Sequence, residues 1–124
     1  MDETNETQEP SLDAATVIAI TRHYCRAKAK HPYFADELLT LDGTVENISR
    51  CLAYCRKELK QEIEYECAAA ETILECELYE MKHAVARGDN AHAVEECYDT
   101  IAVLLRMVDV LEGRQKLGRP ECGR

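Results

Sequence analysis

Apolar positions recur along most of this chain at steps of three and four, the period of one face of an α-helix. Ala14, Val17, Ile18, Thr21, Tyr24, Cys25 and Lys28 follow that rhythm and predict a first helix, with Ser11 or Asp13 placed to cap it. Its basic end, Arg22 to Lys30, suits the negative pole of a helix dipole, and His31-Pro32 stops it. Residues 31–43 hold the single Phe and the apolar trio Leu38, Leu39 and Leu41, and read as a loop with one short helical turn. Asp42-Gly43 predicts a turn and Thr44 an N-cap. From Val45 to Arg87 there is neither Pro nor Gly. Ile48, Leu52, Cys55 and Leu59 continue into a stripe of Ile63, Cys67, Ala70, Leu74, Leu78, Met81 and Val85. One unbroken helix there would span roughly 60 Å at about 1.5 Å per residue. Either it projects into a partner subunit or it breaks near Glu62–Ala70, and the pattern supports both. Gly88-Asp89-Asn90 is a strong breaker. Val94, Cys97, Ile101, Leu104, Leu105, Val108 and Leu111 form the next stripe, capped by Asp89 or Asn90 and ended by Gly113.

The pattern therefore predicts an all-α fold, a helical bundle of long antiparallel helices completed by oligomerisation. Residues 1–10 read as a disordered acidic arm, 11–112 as a single helical domain and 113–124 as a flexible basic tail. Scarce aromatics, with no Trp and one Phe, leave packing to Ala, Leu, Ile and Val.

Charge narrows the partners. A formal net charge of −9 argues against a nucleic-acid polymer, which is gripped by Lys and Arg. A single nucleotide is compatible, because a bound cation can supply the positive charge. No apolar run is long enough to span a bilayer and no signal peptide is evident, so no membrane partner is expected. The seven Cys are odd in number, lack a C-x-x-C spacing and fall mostly in helical patterns, as reduced thiols of a cytoplasmic protein would. Cys51 and Cys55, one turn apart, lack the spacings usual for zinc.

The chemistry concentrates around the breaker. Glu77 and Glu80 are three residues apart before it, Glu96 and Asp99 three apart after it. On helices each pair shares a face. If the breaker folds the second helix back on the first, four carboxylates converge and repel unless a cation lies among them. Oxygen ligands on stiff elements suit Mg²⁺, with Mn²⁺ as a substitute. Such an arrangement points to a metal-dependent enzyme acting on a phosphate ester or anhydride. A single E-x-x-E is common on solvated helices; two pairs beside apolar periodicity and one short turn are more specific.

E-L-Y-E, then G-D-N, then E-E-C-Y-D-T-I-A-V-L-L-R resembles the all-α nucleoside triphosphate pyrophosphohydrolases of the MazG-like superfamily, whose hallmark is E-x-x-E on one helix and E-x-x-D on the next. The resemblance covers about residues 70–112. Cys76 departs from it, since an acid often precedes the first Glu, and the N-terminal half does not align. The resemblance implies Mg²⁺-dependent hydrolysis of a nucleoside triphosphate to the monophosphate and pyrophosphate, with Glu77, Glu80, Glu96 and Asp99 as metal ligands.

Independently, water attack on a phosphate needs a base, and Glu77 or Glu80 is the candidate. Phosphate oxygens need cationic side chains. Arg106, on the face of Asp99 and interrupting V-L-L-R-M-V, leads the candidates, with Lys82, Lys60 and Lys57 behind it. So few helices can hardly enclose a substrate alone, so a homodimer or homotetramer is expected. Two alternatives stay open: a non-catalytic helical oligomerisation module, and a degenerate relative that binds nucleotides without cleaving them.

Overall fold

A computed structural model describes residues 11–41 and 43–118; the acidic arm, Asp42, Cys122 and the end of the tail lie outside these. Four helices follow in order: α1 (Ala14–Lys30), α2 (Val45–Glu64), α3 (Ala70–Ala86) and α4 (Asn90–Leu111), with no strand among the described residues. The fold is all-α. The chain divides between Leu38 and Leu39 into two compact units.

In the first unit α1 begins after Asp13, whose side chain makes no capping hydrogen bond. The helix ends where expected, with the His31 N–H donating to the Ala27 carbonyl at 2.8 Å and Lys28 and Lys30 in its last turn. None of its residues is buried. The helical turn expected within 31–43 is not formed; residues 31–41 are bends and extended chain. Pro32 has no N–H to give a turn, and Tyr33 and Phe34 are almost fully exposed, so no apolar face drives one to form.

In the second unit α3 packs against both α2 and α4, while α2 and α4 do not pack on each other. Short connections make each neighbouring pair antiparallel. The Thr44 hydroxyl caps α2, accepting from the Asn47 N–H at 3.2 Å. Ile48, Leu52 and Cys55 are buried on the face that the pattern marked.

The long helical stretch breaks, and it does so at Tyr65–Ala69. The Cys67 N–H donates to the Glu62 carbonyl at 2.8 Å and the Glu66 N–H to that of Ile63 at 3.0 Å. This is a Schellman ending, in which the reversing residue takes a left-handed conformation. Here that residue is Glu66, at φ 57°. The same device ends α3: Gly88 at φ 75° reverses the chain, and the Asp89 N–H donates to the Ala84 carbonyl at 3.0 Å. Gly is the residue that takes this conformation without strain.

Two apolar stripes lie elsewhere than the pattern placed them. On α3 the buried residues are Thr72, Cys76 and Ala84, spaced by multiples of four, with Glu80 completing the row. Leu78 is exposed and Leu74, Met81 and Val85 are half-buried; Ile63 and Cys67, upstream, are also exposed. Small side chains on the inner row let α3 sit between two helices at once. On α4 the buried residues are Ala93 and Glu96, whereas Val94, Ile101, Leu104 and Leu111 are exposed, as is Cys97 beyond its contact with Met81 at 3.8 Å. The predicted stripe of α4 is thus largely its outer face.

Candidate functional site

The inward rows of α3 and α4 carry the acids. Asp89 fixes the start of α4, its Oδ1 accepting from the His92 N–H at 3.1 Å. Glu96 follows almost two turns on and is 5% exposed. Glu77, half-buried on α3, and Asp99, exposed on α4, complete a set with it: each offers a carboxylate oxygen, and all three oxygens lie within 4.8 Å of one another. Three of the four acids expected to converge therefore do so.

Glu80 stands outside that three-oxygen set, although its charge is felt at both Glu77 and Glu96. Its Oε2 lies 3.7 Å from Nη2 of Arg56, which reaches across from α2.

Electrostatics follow from this crowding. Burial, then a hydrogen bond with Glu96, then repulsion from Glu80, Asp99 and Glu96 push the Glu77 carboxyl up to about 7. Burial and the charge of Glu80 also raise Glu96, while the hydrogen bond to Glu77 and the charge of His92 act the other way. His92 Nε2 lies 3.1 Å from Glu96 Oε2. The other oxygen, Oε1, is buried and has no partner. Two carboxylates cannot donate to each other, so Oε1 is satisfied only by a proton shared with a neighbouring acid or by a cation.

The expected phosphate ligands have these surroundings. Lys82 Nζ sits 5.0 Å over the Tyr79 ring, and Arg106 and Lys60 are exposed. Among the described residues, the ion pairs into the acidic cluster come from Arg56 and His92. His92 was not singled out from the sequence, although its spacing of four from Glu96 is the signal that could have found it. Arg56 carried no such signal, because its position depends on the register of α2 against α3.

Thiol chemistry is not favoured. Burial, reinforced by nearby carboxylates, raises both Cys55 and Cys76 and keeps them protonated. Among the described residues no Cys joins a group of three potential metal ligands, which leaves Cys51 and Cys55 without a zinc set. No family model matches the chain, and neither a curated protein nor a solved structure matches it. Among the described residues no helix is long and apolar enough to cross a membrane.

Proposed function

We propose that this protein is a divalent-metal-dependent nucleoside triphosphate pyrophosphohydrolase, cleaving (d)NTP to (d)NMP and pyrophosphate. The observation that carries the metal site is the partnerless buried Oε1 of Glu96, beside oxygens supplied by Glu77 and Asp99. The donor set is all oxygen, which suits Mg²⁺ or Mn²⁺ over softer metals. The substrate class comes from the resemblance of the two acidic pairs to the MazG-like superfamily.

Glu77, Glu96 and Asp99 would hold the ion, with His92 keeping Glu96 oriented through Oε2. The ion would neutralise phosphate oxygens and acidify water. Glu80, outside the three-oxygen set, is the carboxylate left to accept the proton of the attacking water. The water oxygen bonds to the α-phosphorus as the bond from that phosphorus to the bridging oxygen breaks, and pyrophosphate departs with that oxygen.

A second copy of the chain completes the enclosure in this reading, which the apolar outer face of α4 supports. The reduced thiols suit the cytoplasm.

That same outer face favours a second reading, a helical interaction module without chemistry. Incubation with the standard ribo- and deoxyribonucleoside triphosphates and Mg²⁺, with detection of pyrophosphate, separates the two. Release of pyrophosphate that is lost in Glu80→Gln and Asp99→Asn supports the enzyme. No release, together with no thermal stabilisation by Mn²⁺, leaves the interaction module. Nucleotide binding without release identifies a degenerate relative.

A further inference from the structure

Phosphate recognition at this site needs a cation that the acids do not consume. A triphosphate brings negative charge to a cluster of four carboxylates, and one divalent ion offsets only part of the combined repulsion. Several cationic side chains are already engaged. Lys82 lies over Tyr79, and Arg114 is bound to Asp109 and Glu112. Arg56 is different. It follows Cys55 at the border of the buried face of α2, and its side chain is 59% exposed beside a Glu80 that is 27% exposed. At 3.7 Å the contact with Glu80 is electrostatic and too long to be a hydrogen bond. No hydrogen bond among the described residues takes its N–H groups. The guanidinium is held at the rim of the site with its donors uncommitted.

We propose that Arg56 is the phosphate-gripping residue of this site, donating to the oligophosphate chain of the substrate while its ion pair with Glu80 keeps it aimed there. The proposal rests on the pyrophosphohydrolase reading. Its physical basis is the planar fork of Arg, which presents five donors and can face a carboxylate and a phosphate oxygen at once. A Lys at the same place offers a point charge and no fork. α2 thus contributes to a site whose acids all come from α3 and α4, and the packing of α2 on α3 becomes a functional requirement.

The test uses the full chain and inorganic tripolyphosphate, which carries the phosphate chemistry without a base. Calorimetric titration in Mg²⁺ is expected to show Arg56→Gln binding weaker by about tenfold or more and Arg56→Lys falling between. Mn²⁺ affinity, titrated alone, should not fall, because Arg56 ligates no ion and its removal leaves the charge of Glu80 unopposed. In turnover, kcat/KM for the triphosphate falls with the loss of binding. Equal tripolyphosphate binding by Arg56→Gln and the parent overturns the proposal. So does a loss of Mn²⁺ affinity as large as the loss of tripolyphosphate affinity, which would make Arg56 a support for the acids only. Mn²⁺ binding without tripolyphosphate binding in the parent rejects Arg56 and leaves the metal site standing. Failure of the parent to bind Mn²⁺ removes the underlying reading, and this proposal with it.

Discussion

The Thr72 hydroxyl donates to Oε2 of Glu62 at 2.8 Å, tying the first turn of α3 to the last turn of α2. The other oxygen of Glu62 accepts from the Ala69 N–H at 3.1 Å. Ala69 occupies the N-cap of α3 and has no side chain to cap with. A carboxylate from the preceding helix does that work, and it also suits the positive end of the dipole. Glu62→Ala should therefore destabilise the fold by about 1–2 kcal/mol, the usual loss for a missing cap. Thr72→Val, which keeps the shape and drops one hydrogen bond, should cost about 1 kcal/mol. Urea unfolding would measure both; Glu64→Ala, on the exposed side, serves as the control and should change little.

Glu66 holds a left-handed conformation at φ 57°, where a side chain is strained. Glu66→Gly is expected to raise stability by about 0.5–1 kcal/mol, the relieved strain less the entropy Gly adds to the unfolded chain. Gly88→Ala should go the other way by about 1 kcal/mol. A pair of denaturation midpoints shifted in these opposite directions would establish that the two helix ends use one geometry with different residues. A fall in stability with Glu66→Gly would show that the Glu66 side chain contributes something its backbone angle does not reveal.

These two endings also explain what could and could not be read from the sequence. The turn at Gly88 was legible because Gly announces a left-handed residue. The break at Tyr65–Ala69 left two readings open because Glu fills the same role there. Ile48, Leu52 and Cys55 were correctly assigned to the core, since α2 packs on one neighbour only and follows a simple amphipathic rule. α3 packs on two neighbours, and its inner row of Thr72, Cys76, Glu80 and Ala84 carries almost no hydropathy signal. Of the louder residues, Leu74 and Met81 are only half-buried and Leu78 is exposed. That Glu77, Glu96 and Asp99 come together was legible because helical spacing and one short turn sufficed to place them. Arg56 was not, because no local rule sets the register between α2 and α3.

Glu96 is the most consequential acid for the metal reading, being buried with an unsatisfied oxygen. Glu96→Gln replaces a repelled carboxylate with an amide that can donate to Glu77. Without metal, the variant should melt a few degrees above the parent, as expected when a buried like-charge contact is relieved. With Mn²⁺ the order should reverse, because the parent gains stability by binding and the variant does not. Differential scanning calorimetry with and without Mn²⁺ decides it. A variant that retains the full Mn²⁺ shift would show that the ion binds elsewhere.

Glu77 gives the metal-free protein a characteristic pH dependence. Its carboxyl is raised from 4.5 to about 7, so the folded state binds its proton more tightly than the unfolded state does. That contribution to stability is fully present below the unfolded value near 4.5 and is lost as pH rises through about 7. Glu96, raised as well, acts in the same direction. Urea midpoints in chelator should fall between pH 5 and pH 8, and Glu77→Gln should flatten most of that slope. Saturating Mn²⁺ should oppose the fall, because the ion binds the deprotonated acids. A chelated parent that grows more stable across this interval would contradict the crowding of the acids.

The outer face of α4 bears on assembly. Val94, Tyr98, Ile101 and Leu104 are 48%, 61%, 47% and 47% exposed and lie within one helical arc, to one side of the row formed by Ala93 and Glu96. α3 packs on α4 along the row of Ala93 and Glu96 and leaves this apolar arc exposed. Exposed apolar side chains gathered on one arc of a helix mark a contact surface. If a second copy covers this face, Ile101→Glu places a charge at the centre of the contact, where it cannot be hydrated. Sedimentation should then show the parent as a dimer or tetramer and the variant shifted toward monomer, with helicity retained. Because Glu96 and Asp99 lie on the same helix, pyrophosphate release should fall as the assembly dissociates and recover at high protein concentration. Monomeric parent protein with full activity would show that the face serves another partner and that one chain encloses the substrate unaided.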